Sequence, residues 1–195
     1  LSKVADATGT IQEEFMYGHD RRRVRTIEWP STPGRAPRVT YTNWFGGLPL
    51  SESINNLVVG PVQPIQWAKD TFHAGGRTHT ETPRGRSIFI NDTRGTGAEL
   101  SAGGAKVLSH RASRPFGTES DASVGGDDNE RFTTYKRSLV TGLDYAVNRF
   151  YSPELARFTQ VDPLGSGAFR VGDSQSLNAY SYARNDPIGR IDPEG

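Results

Sequence analysis

The chain of 195 residues contains no cysteine and a single methionine. Disulfides and Cys-based metal sites are thereby excluded. It also lacks an excess of either charge: 23 basic against 22 acidic residues leave a formal net charge of +1. Bulk electrostatics therefore point to no nucleic-acid partner and no membrane surface. No apolar run approaches the roughly 18 residues of a membrane-spanning helix, so no membrane span is expected. No signal-peptide pattern opens the chain. It starts at Leu1 rather than Met and is expected to be an internal piece of a larger protein, so the missing leader says nothing of the parent. Ser-His-Asp arrangements, Gly-rich phosphate loops and metal-ligand clusters are not legible, which disfavours a free-standing hydrolase. No cofactor is expected. Apolar residues are scarce too, at 34%, with a negative mean hydropathy. A sealed globule of this length usually has more.

What the chain does have is punctuation. Its 22 Gly and 12 Pro interrupt it too often for long helices, and β-rich, turn-rich structure fits better. Residues 10–29 read as two short strands around a turn at Gly18 to Asp20, with Phe15 and Tyr17 two apart and Val24 to Trp29 rich in β-branched and aromatic residues. The run Arg21, Arg22, Arg23 and Arg25 reads as a solvated strand edge whose charges block further pairing, in preference to a phosphate-binding patch. Residues 38–48 read as a strand ending in Gly46-Gly47, whereas 49–85 carry turn signals but match no pattern. His73 and His79 stand six apart with no acidic or Cys partner at ligand spacing. Gly103-Gly104 marks a hairpin between a strand ending near Leu100 and one over Lys106 to His110. Residues 118–130 hold five acidic and no basic residues and read as a solvated loop. Asp121, Asp127, Asp128 and Glu130 lack the alternating oxygen spacing of a calcium loop.

From Arg131 onward an ordered set of short motifs appears. Arg131-Phe132-Thr133 is expected to open one strand. Thr141-Gly142-Leu143-Asp144-Tyr145 is expected to open another, continuing to Arg149-Phe150-Tyr151. Ser152-Pro153 looks like an N-cap followed by proline at the first helical position, with a helical turn through Leu155 to Arg157. Asp162-Pro163-Leu164-Gly165 follows. Asp173 to Ser176 offers another N-cap, and Leu177, Tyr180 and Ala183 are spaced for a short helix. Asn185-Asp186-Pro187 ends it, and Asp192-Pro193-Glu194-Gly195 completes the set. A lone Asp-Pro-x-Gly is weak, since these residues make turns everywhere; the ordered set is specific.

This tail resembles the repeat-associated core domain of the Rhs (rearrangement hot spot) and YD-repeat family. Phe15, Tyr17, Asp20 and Arg22 or Arg23 approximate the YD repeat itself, and Arg114-Pro115-Phe116-Gly117 replaces the family's Tyr-Asp-Pro-Phe-Gly. The resemblance covers about 65 residues densely and about 60 loosely. Two departures stand out: Asp186 occupies a position where Asn is usual, and Asp162 and Asp192 are 30 apart, farther than is common.

The resemblance implies a mainly β fold in which YD-repeat hairpins form part of a spiralling sheet or shell, with one or two short helices in the C-terminal core region. It implies YD-repeat-like hairpins over 1–117 with 49–85 unassigned, an acidic loop over 118–130, and the repeat-associated core over 131–195. It also implies a role: a fragment of a polymorphic-toxin carrier that encapsulates a C-terminal toxin, with upstream YD repeats and a downstream toxin domain of the same polypeptide as partners. A secretion apparatus would be a further partner, and the parent would be secreted or on the cell surface.

In self-cleaving members two aspartates act as an aspartic-protease-like pair, and the cut falls just beyond the second Asp-Pro-x-Gly. Carried over, these are Asp162 and Asp192, with Arg149 as the nearby cation and Arg157 as the reserve. Asp186, which also begins an Asp-Pro-x-Gly, is a competitor. Two carboxylates held close cannot both ionise, so one keeps its proton near neutral pH. The ionised member can activate water and the protonated one can donate to the carbonyl or the leaving amine. The activity implied is at most that of an intramolecular aspartic autoprotease. The competing readings are that these aspartates only cap turns, and that the chain is a stand-alone or relic YD-repeat surface-binding module without cleavage.

Overall fold

The computed structural model describes residues 2–30, 35–56, 64–74, 76–92, 95–103, 106–120 and 129–195. Fourteen strands carry the fold: β1 Lys3–Ala5, β2 Ile11–Tyr17, β3 Arg23–Glu28, β4 Arg38–Phe45, β5 Leu48–Asn56, β6 Gln66–His73, β7 Arg77–Thr82, β8 Gly85–Asp92, β9 Gly95–Ser101, β10 Val107–His110, β11 Lys136–Arg137, β12 Asp144–Ala146, β13 Arg149–Ser152 and β14 Arg157–Phe158. The first ten hydrogen-bond in strict chain order, and the last four form a second sheet, also in chain order. The protein is thus mainly antiparallel β, as the turn-rich composition predicts.

Contacts divide the chain into two units. The first comprises Leu1–Ile88 with Ser101–Gly104, and the second Phe89–Leu100 with Ala105–Gly195.

In the first unit each turn is made by the residues that suit it. The β2–β3 connection is closed by the Gly18 amide donating to the Arg22 carbonyl (2.9 Å) and by the Asp20 carboxylate accepting from the Arg22 amide (3.1 Å). Gly46 and Gly47 both adopt positive φ between the paired Phe45 and Leu48, as a two-residue hairpin turn of this twist demands. The arginine run departs from expectation. β3 pairs with β2 on one side and β4 on the other, so it is not an edge. Arg23 is buried with its guanidinium over the Phe15 ring at 5.2 Å, and Arg22 pairs with Asp20. Residues 49–85, unreadable as a pattern, hold most of β5 and all of β6 and β7; their polar, Thr-rich composition hides the alternation. His73 bonds the Pro49 carbonyl and His79 stacks on Phe72.

Strands β9 and β10 pair as the hairpin expected around Gly103-Gly104; Gly104 itself lies outside the described residues, as do Asp121, Asp127 and Asp128. In the second unit Phe132, Tyr135, Ala146, Tyr151, Phe158 and Tyr182 form the core, packed largely in tilted and edge-on ring pairs that suit aromatic quadrupoles. Arg114 to Gly117 is a turn docked on this core. The Phe116 carbonyl accepts from the Tyr151 hydroxyl (2.8 Å), and a Cβ at Gly117 would lie 2.6 Å from the Phe132 ring. That close approach keeps the element in place without the Tyr-Asp pair.

Several local expectations give way here. Arg131 to Thr134 is a turn and not a strand, with Thr133 and Thr134 at positive φ. The run from 144 to 151 is a hairpin, β12 and β13, reversing at Val147 and Asn148. Pro153 to Ala156 is the β13–β14 turn and not a helix, although Ser152 Oγ does accept from the Leu155 amide (3.3 Å). Asp173 caps a 3-10 turn over Ser174–Leu177 by accepting from the Gln175 amide. That turn stops at Asn178, so Tyr180 and Ala183 are not on it. Two further 3-10 turns span Gly165–Ala168 and Ala183–Asn185.

Candidate functional site

Strands β12 and β13 are buried along their whole length, which places Arg149, the first residue of β13, inside the second unit. Its guanidinium carbon lies over the Phe158 ring, 3.6 Å from the centroid, a position that favours a delocalised cation. Every edge of the fork is used. Nη1 donates to the Ala179 carbonyl (3.0 Å) and Nε to the Gly195 carbonyl (2.8 Å). Nη2 lies 3.4 Å from Asp162 Oδ2 and 3.3 Å from Asp192 Oδ2. Burial pushes Arg149 below its ordinary pKa, opposed by the charges of Asp162 and Asp192.

Both aspartates divide their two oxygens in the same way. Asp162 Oδ1 accepts from the Leu164 amide (2.8 Å) and Asp192 Oδ1 from the Gly195 amide (3.1 Å), while each Oδ2 faces Arg149. Turn capping and convergence on a shared cation therefore coexist. Burial pushes the Asp192 carboxyl above the usual carboxylate range; the Arg149 charge and the Gly195 amide oppose it and the neighbouring Asp162 charge adds to it. The structure thus brings together Asp162, Asp192 and Arg149. It leaves out the two competitors. Asp186 caps its own turn through the Gly189 amide (3.0 Å) and pairs with Arg190. Arg157 is exposed and donates to the Leu155 carbonyl.

The last Asp-Pro-x-Gly, Asp192 to Gly195, is held by partners that sequence spacing does not announce. The Tyr135 hydroxyl donates to the Asp192 carbonyl, and burial pushes that phenol far above its ordinary pKa, so it stays a donor. The Asn148 backbone amide and side-chain amide both donate to the Glu194 carbonyl, at 3.0 and 3.2 Å. No local signal announced Asn148, whose hairpin reversal the expected continuous strand concealed, or Tyr135, 57 residues from Asp192. Among the described residues, no group of three or more metal-ligating side chains is assembled.

No family model matches the chain. It is 31% identical over 130 residues to the tRNA3(Ser)-specific nuclease WapA of Bacillus spizizenii, a match covering 64% of this chain and 5% of that protein. It is 23% identical over 200 residues to the toxin subunit YenC2 of Yersinia entomophaga, covering 96% of this chain and 20% of that one. Among solved structures it superposes on the crystal structure of TcdB2-TccC3-Cdc42 with a TM-score of 0.70 at 19% identity, covering 98% of this chain and 9% of that chain. The chain thus spans a fifth or less of each of these proteins. Together the strand order and these similarities support an Rhs-type β fold.

Proposed function

We propose that the chain is a segment of an Rhs/YD-repeat toxin carrier, forming part of a β shell around a C-terminal toxin. On this reading 1–117 contributes hairpins, 118–130 is an acidic loop, and 131–195 is the repeat-associated core. The core releases the toxin by aspartyl self-cleavage just past Gly195. A nuclease and a toxin subunit, each far longer than this chain, are among its relatives, which supports the carrier role; the parent would be secreted or displayed at the cell surface and would engage a secretion apparatus. The observation that carries the chemistry is the convergence of Asp162 and Asp192 on one nitrogen of Arg149, while another nitrogen of the same guanidinium grips the Gly195 carbonyl.

The reaction is hydrolysis of one peptide bond. Asp162 takes a proton from water, whose oxygen bonds to the scissile carbonyl carbon. Asp192, raised in pKa by burial, keeps its proton and donates it toward the carbonyl oxygen or the departing amine. The C–N bond breaks, one water is consumed, and the proton taken by one carboxylate replaces the one given up by the other. Arg149 holds both carboxylates and the adjoining backbone in register, so little ordering is required at the moment of reaction.

The test is intact mass and N-terminal sequencing of the parent polypeptide continuing past Gly195. Two fragments, with the new N-terminus a residue or two beyond Gly195, are expected, and Asp162→Asn or Asp192→Asn abolishes the cut. Unchanged processing in both variants would sink the dyad. The second reading, a structural or surface-binding module, has one observation in its favour: each aspartate also caps its own turn. A single uncut, folded chain would establish it.

A further inference from the structure

Three Asp-Pro-x-Gly turns occur in this tail, and their glycines have different surroundings. A Cβ added at Gly165 would meet nothing within 4 Å. For one at Gly189 the nearest atoms are those of the Asp186 carboxylate, in its own turn. One at Gly195 would lie 2.3 Å from the Ala146 carbonyl oxygen, which belongs to β12 and cannot swing aside. Gly195 also adopts φ +71, a region costly to any residue with a Cβ. Of the three, this third glycine alone has its nearest neighbours in another element.

The backbone around it is held just as selectively. The carbonyls of Asp192, Glu194 and Gly195 accept from the Tyr135 hydroxyl, from both amides of Asn148, and from Arg149 Nε respectively. The Glu194 side chain, by contrast, is exposed. The turn supplying Asn148 is itself under strain. Val147, β-branched, has φ +59, and the Asn148 amide bonds the Ala146 carbonyl two residues back at 2.7 Å. Strain of this kind persists where surrounding structure enforces it, and it clusters at sites that grip or switch.

We infer that the β12–β13 turn and Tyr135 form a peptide clamp that reads the last Asp-Pro-x-Gly, Asp192 to Gly195, through its backbone carbonyls and its missing Cβ, and thereby sets which peptide bond is cut. The ligand class is an extended peptide backbone with glycine at the position facing Ala146 and any side chain one residue earlier. The inference rests on the self-cleavage reading above. Asn148 and Tyr135 are positioning residues; they hold the strand that leads into the scissile bond and do not touch the reacting atoms.

The experiment follows self-cleavage of the parent polypeptide continuing past Gly195, reading both the rate and the fragment masses, with folding checked by circular dichroism. Gly195→Ala is expected to slow the cut at least tenfold. Adding Ala146→Gly does not restore it, because the obstruction is a backbone oxygen. Gly189→Ala leaves the rate unchanged. Asn148→Asp, at an exposed position that does not threaten folding, slows the cut and spreads it over neighbouring bonds, whereas Asn148→Gln retains a donor and restores part of the accuracy. A purely structural role would change amount without moving the cut site. If Gly195→Ala and Asn148→Asp cut at the wild-type rate and at the same bond while Asp162→Asn does not cut, the dyad stands and the clamp is overturned. If the wild-type polypeptide does not cut, or the aspartate variants still cut, the self-cleavage reading fails and the clamp falls with it.

Discussion

Asp192 is the residue whose protonation has most to report. Folding raises its pKa above the ordinary 3.8, mainly through burial. The folded chain therefore binds this proton more tightly than the unfolded chain. The resulting stabilisation is complete below the unfolded pKa and is lost as pH rises through the folded one. Asp192→Asn removes the ionisable group while preserving shape, so its melting temperature at neutral pH should equal or exceed wild type, with the gap closing below about pH 4. A variant melting well below wild type at neutral pH would show that the carboxylate is held chiefly by Arg149. For catalysis the same shift predicts a self-cleavage rate that declines as pH rises through the Asp192 titration, measurable by following fragment accumulation across pH. Arg149 was legible in the motif, and so were both aspartates; Tyr135 was not, because only the folded chain brings its hydroxyl to the Asp192 carbonyl.

Among the elements, the β11–β12 pair carries a bidentate ion pair. Arg137 Nε and Nη2 donate to Asp144 at 2.7 and 2.9 Å, and Asp144 is fully buried. Removing one partner strands the other, so Arg137→Met should cost about 3–5 kcal/mol in chemical denaturation, whereas replacing both with apolar residues should recover much of that loss. The neighbouring β12–β13 turn makes the opposite prediction. Val147 sits at φ +59, where a β-branched side chain is penalised, so Val147→Gly should stabilise the chain by about 1 kcal/mol. An unchanged denaturation midpoint would mean that the lost Val147 packing offsets the relief. A hairpin was readable where a turn signal stood between two strand-like runs, as at Gly18 to Asp20; at Gly46-Gly47 only the strand before the turn was. No hairpin was readable at Val147-Asn148, where local preference opposes the turn and tertiary contacts enforce it. The same competition explains the two expected helices: Ser152 and Asp173 do cap, but short 3-10 turns and hairpin returns satisfied the backbone first.

For the molecule as a whole, the low hydrophobic fraction is matched by an apolar surface that is not all sealed. In the first unit Phe45 and Ile65 are 78% and 61% exposed. In repeat architectures each unit buries its faces against its neighbours, and a piece taken alone shows them. The isolated chain should therefore bind a hydrophobic fluorescent dye while folded. Changing Phe45 and Ile65 to Ser should lower that signal with a stability change within about 0.5 kcal/mol, as expected for surface sites. A large loss of stability would mean that these side chains already pack in solution.

Composition and turn residues determined the β architecture by themselves, because a chain so rich in Gly and Pro, with alternating aromatics and no long apolar run, has few other ways to satisfy its backbone. The resemblance carried by the ordered motifs named Asp162, Asp192 and Arg149 as candidates, with Asp186 and Arg157 left beside them as alternatives. What only the tertiary structure decided is which groups meet. The guanidinium of Arg149 reaches carbonyls 30 and 46 residues away, Asn148 holds the Glu194 carbonyl, and Ala146 closes on Gly195, whereas the glycines of the two other turns of the same pattern have no such nearest neighbour. Local sequence encodes a turn; the contacts that distinguish one such turn from another are long-range, and they exist only once the aromatic core has set the distance between them.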